Sequence, residues 1–118
     1  MYQYRATVLD CHDGDTLHLA VDLGCDITVR MTVRLLGINA PELATADGKT
    51  ARDFIVSLLP SDRQVWIATT KDRKEKYGRY LGRVFLDRAS MEGDVSAGCV
   101  NDLMVAGSYA VRYTGGAR

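Results

Sequence analysis

An arginine and a glutamate stand at the two ends of one short apolar stretch. Arg34 begins the stretch, a mostly apolar run continues to Ala40, and Pro41 and Glu42 end it. Proline fixes its own φ and favours an extended conformation in the residue before it, so the turn should hold Glu42 rigidly. A guanidinium can donate paired hydrogen bonds to an anion, and a carboxylate can serve as a base. The stretch therefore predicts a site for an anionic substrate.

Two further segments carry groups of the same kind. Asp15 ends the tight turn that begins at Asp13, and its carboxylate would suit a hard cation that prefers oxygen ligands. The segment from Lys71 to Arg79 is a basic cluster with one tyrosine, and it ends in an arginine that enters a strand, as a phosphate-binding rim would.

Each signal also has a purely structural interpretation. An Asp-Gly pair is typical of a hairpin turn, and most charge runs are solvated surface. Arg34 could lie on the solvated face of a strand, and Glu42 could complement a helix dipole. The helical pattern begins several residues after Glu42, however, which favours a loop position for this carboxylate.

The bulk composition limits the classes of protein. The 118 residues fit one domain with its own core, and 15 basic and 15 acidic side chains give zero net charge. Zero net charge argues against binding of nucleic acid through the overall field of the protein, but a local basic cleft is still possible on a neutral molecule. The three cysteines show neither zinc-ligand spacing nor a disulfide framework. With no signal peptide or membrane-length apolar run, we expect an intracellular protein without membrane contact, unless a leader was removed.

The first third of the chain alternates with a period of two and predicts three strands. The first runs from Tyr2 to Leu9, and Asp22-Leu23-Gly24 should form the turn between the second and the third. Alternating apolar residues should face the core, with Arg34 on the opposite, polar face. These predicted core residues are Leu17, Leu19 and Val21 in the second strand and Ile27, Val29, Met31, Val33 and Leu35 in the third.

The later elements alternate between helices and strands. We expect a helix that begins at Gly48 and is stopped by Pro60, then strands at 65–68 and 81–86 around a polar loop at 71–78. A second helix of about three turns should follow, and Gly107 should terminate it. This order predicts an α+β, mainly β fold, a five-stranded OB-fold barrel with one helix between strands three and four and another after strand five. We expect residues 1–113 to form this single domain and 114–118 a loose tail.

Four separated segments together resemble one family, the staphylococcal nuclease (thermonuclease) family. In order, they are Asp13-Gly14-Asp15-Thr16, Arg34-Leu35-Leu36-Gly37-Ile38-Asn39-Ala40-Pro41-Glu42, Lys76-Tyr77-Gly78-Arg79-Tyr80-Leu81 and Val100-Asn101-Asp102-Leu103-Met104-Val105-Ala106-Gly107. The resemblance spans nearly the whole chain. It implies the same OB-type barrel and calcium-dependent hydrolysis of DNA and RNA phosphodiesters that leaves 3′-phosphate ends.

The resemblance also implies roles for individual residues. Arg34 and Arg79 match the family's phosphate-binding arginines and Glu42 its catalytic glutamate. The implied metal ligands are Asp15, Asn39 and the backbone carbonyl of Ala40, and the implied substrate-binding residues are Lys76, Tyr77 and Tyr113.

Asn39 departs from the family pattern, because the best-known member has a metal-binding aspartate there. An amide oxygen brings no charge, so Ca²⁺ should bind more weakly.

Two other functions remain open from the sequence. A catalytically weak or inactive barrel of this family could bind nucleic acid or protein, and a structural barrel could belong to a larger assembly. The complete set of Arg34, Glu42 and Arg79 favours the enzyme. We expect DNA or RNA as substrate, no obligate protein partner and a monomer.

Overall fold

The computed structural model describes residues 2–74, 79–92 and 98–113, apart from the side chains of residues 2 and 70–74. The predicted tail 114–118 lies outside these residues. In chain order, the elements are β1 (Tyr2–Asp13), β2 (Thr16–Gly24), β3 (Ile27–Leu35), β4 (Ile38–Asn39), α1 (Ala46–Leu58), β5 (Gln64–Lys74), β6 (Tyr80–Phe85), α2 (Arg88–Glu92), α3 (Val100–Ala106) and β7 (Val111–Arg112).

Five strands close into a barrel in the order β1, β2, β3, β6, β5, which confirms the predicted OB-type α+β fold. β1 pairs with both β2 and β5, and its pairing with β2 shifts register between Val8 and Asp10 and between Cys11 and Asp13. Such irregularities bend a strand, which lets β1 serve two sides of the barrel. β3 meets β6 in parallel only from Val33 to Leu35. These residues bring the ends of β2, β3 and β6 together.

The alternating residues of β2 fill the barrel, and Leu17, Leu19 and Val21 are fully buried as predicted. The same prediction fails for the first half of β3, where Ile27 and Val29 are exposed. The apolar pattern continues along the β2–β3 hairpin after the barrel has ended, so these residues have no core to enter.

The predicted turn at Asp22-Leu23-Gly24 is also wrong. β2 continues to Gly24, which pairs with Ile27, so the loop consists of Cys25 and Asp26. Both loop residues have positive φ, 54° and 60°, as a type I′ turn requires. The three cysteines are free thiols, exposed at Cys25 and buried at Cys11 and Cys99.

The predicted helix after the third strand is confirmed as α1. Thr45 is its N-cap, with a side-chain oxygen that accepts a hydrogen bond from the Gly48 N–H at 2.9 Å. Ala51 and Ile55 are fully buried against the barrel, as the helical period indicates. No helix in the described ranges has the length and apolar character to cross a membrane.

The second predicted helix, α3, has seven residues rather than about three turns. Gly107 is its C-cap, as predicted, but the left-handed position is Ser108, with φ 63°. The N–H groups of Ser108 and Tyr109 donate to the carbonyls of Val105 and Met104, which is the pattern of a Schellman motif.

The remaining differences concern short or extended elements. β5 continues to Lys74, so it is longer than the predicted strand at 65–68 and takes up part of the predicted loop at 71–78. α2, β4 and β7 have five residues or fewer and were not predicted.

Candidate active site

The turn between β1 and β2 positions Asp15. A Cβ atom on Gly14 would lie 2.8 Å from the Cβ of Ala40 and 2.9 Å from the Cβ of Ala51. Only glycine lets the turn approach both the β4 segment and α1 so closely. The Asp13 side chain accepts a hydrogen bond from the Asp15 N–H at 3.0 Å, which closes the turn.

The Asp15 carboxylate is buried, with 7% of the residue exposed. Its Oδ1 accepts from the Thr16 hydroxyl at 3.1 Å, its Oδ2 accepts from the Ala40 N–H at 2.9 Å, and Arg34 Nη1 lies 3.7 Å from Oδ2. Burial raises the pKa of Asp15 above its ordinary value, and the nearby Asp13 raises it further. The Ala40 N–H and the charge of Arg34 act in the opposite direction.

Arg34 is also buried, with 6% of the residue exposed, which corrects the expectation of an open polar face. It lies opposite the core face of β3, but β4 and the Asp15 turn cover this side. Nη1 donates to the carbonyls of Leu35 at 3.3 Å and Ile38 at 3.0 Å, and Nη2 donates to Asn39 Oδ1 at 3.3 Å. A guanidinium has five N–H donors, so these three bonds leave two for a ligand.

Arg79 joins the same group of side chains from the position directly before β6. Its Nη1 donates to the Thr16 hydroxyl at 3.3 Å, and that hydroxyl donates to Asp15. The strand register explains this meeting, because Thr16 pairs with Arg34 across β2 and β3, while Arg34 is opposite Leu81 of β6. Hydrogen bonds and the Asp15–Arg34 ion pair therefore connect five residues, Asp15, Thr16, Arg34, Asn39 and Arg79, which we call the Asp15 network.

Glu42 is exposed on the loop before α1, where the sequence predicted it. Its carbonyl accepts hydrogen bonds from the Thr45 N–H at 3.0 Å and the Thr45 hydroxyl at 2.6 Å. A Cβ atom on Gly48 would overlap the Glu42 carbonyl, so glycine allows the helix to start directly against this loop. Within the described part of the chain, no hydrogen bond or ion pair involves the Glu42 carboxylate, which leaves it open to solvent.

The predicted substrate-binding residues are only partly described. The Tyr113 N–H donates to the Gly37 carbonyl at 2.8 Å, so the end of the described chain lies beside the β3–β4 turn. Gly37 has φ 80°, a conformation that favours glycine. Lys76 and Tyr77 lie outside the described residues.

Three oxygen donors suit a hard cation: the Asp15 carboxylate, the Asn39 amide oxygen and the Ala40 carbonyl. Among the described residues, no group of three or more His, Cys, Asp or Glu side chains could hold a metal ion. Asp15 nevertheless fits a cation, because a nearby positive charge would offset the burial that disfavours its ionised form. With one anionic ligand in the set, the site fits weak binding.

Sequence reasoning did not identify the residues that support the site. Thr45 and Gly48 hold the Glu42 loop against α1, and Gly14 allows the close approach around Asp15. The N-cap signal of Thr45 was available in the sequence, since threonine often precedes a helical pattern. The close approach at Gly14 depends on Ala40 and Ala51, which are distant in the chain, and the one at Gly48 depends on how the Glu42 loop folds back on the start of α1. No periodic pattern indicates either.

The chain was also compared with known proteins. The family model described as "Staphylococcal nuclease homologue" matches residues 32–117. A micrococcal nuclease of Shigella flexneri is 33% identical over 114 residues, which cover 95% of this chain and 61% of that protein. Protein ParB of Escherichia coli is 30% identical over 118 residues, 96% of this chain and 60% of that protein.

Endonuclease YhcR of Bacillus subtilis (strain 168) is 27% identical over 122 residues, 94% of this chain and 9% of that protein. This chain thus spans less than two thirds of the length of each of these three relatives. The family match begins after Asp15 but contains Arg34, Glu42 and Arg79, and it extends over well more than half of the chain. The chain therefore belongs to the staphylococcal nuclease homologue family.

Proposed function

We propose that this chain is a calcium-dependent nuclease that hydrolyses phosphodiester bonds of DNA and, by the same chemistry, of RNA. The observation that carries the proposal is the Asp15 network, in which two arginines and a buried carboxylate meet, and Asp15 also accepts a hydrogen bond from the Ala40 N–H, two residues before Glu42. The family of the chain and the names of two relatives, a micrococcal nuclease and an endonuclease, support the same function.

Phosphodiester hydrolysis places growing negative charge on the oxygens around phosphorus, so donors fixed in advance give the largest stabilisation. Arg34 keeps two N–H donors beyond its bonds to Leu35, Ile38 and Asn39. Because these bonds already order the side chain, little conformational entropy is lost when it binds a phosphate. Arg79, directly before β6, approaches the same group through its hydrogen bond to the Thr16 hydroxyl. We assign both arginines to the phosphate oxygens, where a guanidinium donates in a bidentate geometry that lysine lacks.

Glu42 is assigned to the attacking water. Its carboxylate is exposed and has no partner in the described ranges, while its backbone is held by Thr45, so it combines access with a fixed position. The carboxylate orients the water and accepts its proton as the oxygen attacks phosphorus. The bond to the 5′ oxygen then breaks and that oxygen takes up a proton from solvent water, which leaves a 3′-phosphate on one product and a 5′-hydroxyl on the other.

Asp15, Asn39 and the Ala40 carbonyl would hold Ca²⁺. When bound, the ion would supply positive charge against the phosphate oxygens. Before an ion binds, the chain must keep the buried Asp15 carboxylate ionised, and the Ala40 N–H and the charge of Arg34 both favour the ionised form. The assignments of Lys76, Tyr77 and Tyr113 to substrate binding remain predictions.

The test is cleavage of end-labelled single-stranded DNA in Ca²⁺ and in chelator, with mass spectrometry of the product ends. Glu42→Gln should lower the rate by about 10² to 10⁴-fold, and Arg79→Lys by about 10² to 10³-fold. The matched controls are Glu92→Gln, which alters an exposed glutamate of α2, and Arg63→Lys, which alters an exposed arginine. Undiminished cleavage by the Glu42→Gln, Arg79→Lys double variant would refute the site.

A binding module without catalysis is the second candidate. Two observations favour it: the only carboxylate among the assigned metal ligands is Asp15, and three donors of Arg34 are already used within the chain. The same samples separate the two functions, because a binding module would shift the DNA on a gel without cutting it in any divalent metal. Loss of that shift in Arg79→Glu would place binding at the same site.

A further inference from the structure

A groove lies between the β1–β2 hairpin and the start of α1, outside the Asp15 network. Its volume is about 750 Å³, within the range of about 300–1,000 Å³ that ligand pockets occupy. The strands line one side of the groove and α1 lines the other, with Asp10, His12 and His18 facing Lys49, Arg52 and Asp53. The groove therefore has room for a ligand of the size of a nucleotide.

The groove borders the candidate active site on two sides. Leu43 lines the groove and directly follows Glu42, the residue assigned to the attacking water. On β2, Thr16 of the Asp15 network and His18 of the groove are two residues apart, so both lie on the same face of the strand. Their separation along an extended strand is about 7 Å. A nucleic-acid strand bound at the Asp15 network therefore has only a short distance to cover before it enters the groove.

The α1 side of the groove offers two cations to an anion. Lys49 is exposed and Arg52 is half-buried, and their spacing of three residues places them on one face of the helix. Neither has an ion pair with another described residue. Of the two carboxylates in the groove, Asp10 lies 2.5 Å from Nδ1 of His18, so its charge is engaged by that ring. Asp53 is exposed and opposes the binding of an anion.

The strand side of the groove offers aromatic rings to a base. The ring centroids of His12 and His18 are 6.3 Å apart, and their planes are inclined by 41°. The register shift between Cys11 and Asp13 leaves His12 without a pairing residue on β2, and such a bulge redirects a side chain. His12 is exposed, whereas Asp10 holds the His18 ring. Nucleobases stack on aromatic side chains, histidine included, and stacking accepts any base.

We propose that this groove binds a further nucleotide of the substrate strand, the one next to the two nucleotides that the cleaved bond joins. Its phosphate binds Lys49 and Arg52, and its base stacks on His12. This inference rests on the proposed function, because the strand must pass the Asp15 network to reach the groove. An OB-type barrel contacts about 4 to 16 nucleotides of a single strand, so contacts beyond the cleaved bond are expected. Asp53 weakens the phosphate contact.

The phosphate contact is tested by fluorescence anisotropy with a labelled DNA strand of about twelve nucleotides. The Glu42→Gln background in chelator keeps the strand uncut. Lys49→Glu should weaken binding about tenfold at low salt and lower the slope of log Kd against log salt by about 0.7. Asp53→Asn should instead tighten binding by about 2- to 5-fold. Arg30→Glu and Asp26→Asn make the same charge changes at exposed positions of the β2–β3 hairpin and should leave the affinity unchanged.

The base contact is tested with the same strand in the same background. His12→Ala should weaken binding by about 5- to 150-fold, the range for loss of one stacked base. The salt dependence should stay the same, because the contact with the base involves no phosphate. His12→Phe keeps an aromatic ring and should retain the affinity.

The outcomes separate this inference from the proposed function. Equal affinity and salt dependence in Lys49→Glu and Arg30→Glu, or equal affinity in His12→Ala and His12→Phe, would overturn the groove even if the wild type cleaves DNA. If the wild type does not cleave but all these differences are found, the nuclease assignment fails and the groove belongs to a binding module. A strand that does not bind the Glu42→Gln protein at low salt would also overturn the groove, while cleavage by the wild type decides the proposed function separately.

Discussion

Replacing Asn39 by aspartate should convert a weak cation site into a stronger one. Asn39 Oδ1 lies 3.3 Å from Arg34 Nη2, and Arg34 Nη1 lies 3.7 Å from Asp15 Oδ2, so residue 39 belongs to the same cluster as the buried carboxylate. The substitution keeps the size of the side chain and adds one negative charge. We expect tighter binding of Ca²⁺ with no change of fold.

The magnitude follows from Coulomb's law. Two unit charges about 4 Å apart interact by about 1 kcal/mol in water and about 4 kcal/mol at an effective dielectric constant of 20. Asn39 is half-buried, so about 2 kcal/mol per unit charge is a reasonable middle value. The double charge of Ca²⁺ doubles this figure, and partial neutralisation of the new carboxylate by Arg34 removes about half. The net gain of about 2 kcal/mol corresponds to roughly 30-fold in Kd.

Isothermal titration calorimetry with Ca²⁺ at pH 7 and low salt measures the change. Ser57→Asp adds the same charge to the exposed surface of α1 and corrects for the general field of the protein. Asn39→Ala removes the amide oxygen and should weaken binding. If the Kd of Asn39→Asp equals that of Ser57→Asp, residue 39 is not a ligand and the proposed metal site is wrong.

Three further substitutions test the energetic effects inferred for single residues of the fold and the site. Because burial raises the pKa of Asp15, its ionised form destabilises the fold above that pKa, so Asp15→Asn should raise the Tm in chelator at pH 7. This gain in Tm should vanish as the pH falls to about 4, where unfolded aspartate also protonates. A gain in Tm that stays constant with pH would show that the ionisation of Asp15 is not its cause. Helix propensity alone favours Gly48→Ala by about 1 kcal/mol. The overlap of the new Cβ with the Glu42 carbonyl should outweigh this gain, so that the substitution lowers both Tm and kcat. Thr50→Ala is the control in α1. Ser108→Gly should stabilise the protein by about 0.5–1 kcal/mol in urea unfolding, since Ser108 has φ 63°, and an unchanged midpoint would show that this conformation costs nothing there.

The barrel could be predicted from the sequence because its signals are local. The period of two in Leu17, Leu19 and Val21 identifies a strand face, and the change to a helical period before Ile55 identifies α1. The order of these elements then selects an OB-type barrel among the known arrangements.

The predicted burial of the first half of β3 was wrong because the sequence does not show where the barrel ends along this strand. Alternation shows that Ile27 and Val29 share a face with Val33, but it does not show that β6 pairs only from Val33 onward. The turn was misplaced for a related reason. Gly24 suggested a turn at that residue, and it does have φ 83°, but the loop itself lies directly after it, where Cys25 and Asp26 also have positive φ although neither is a glycine.

The residue types of the site were predictable, but their burial was not. An arginine on the polar face of an alternating strand suggests a solvated side chain, and it is the return of the chain at Ile38 and Asn39 that covers Arg34. That return depends on the turn at Gly37, whose φ of 80° few other residues adopt. A sequence pattern of period two cannot show a short strand that folds back over the polar face of the preceding one.

The acceptors of Arg34 show how the site keeps its geometry. A buried charge needs partners, and a carboxylate would be the expected one, but Asp15 Oδ2 is 3.7 Å away and the shorter bonds go to the carbonyls of Leu35 and Ile38. Backbone carbonyls do not titrate, and they stay in place as long as the Gly37 turn does. Arg34 should therefore keep its orientation when Asp15 is protonated or engaged with a cation. The turn fixes the arginine, and the carboxylate remains free to respond to charge.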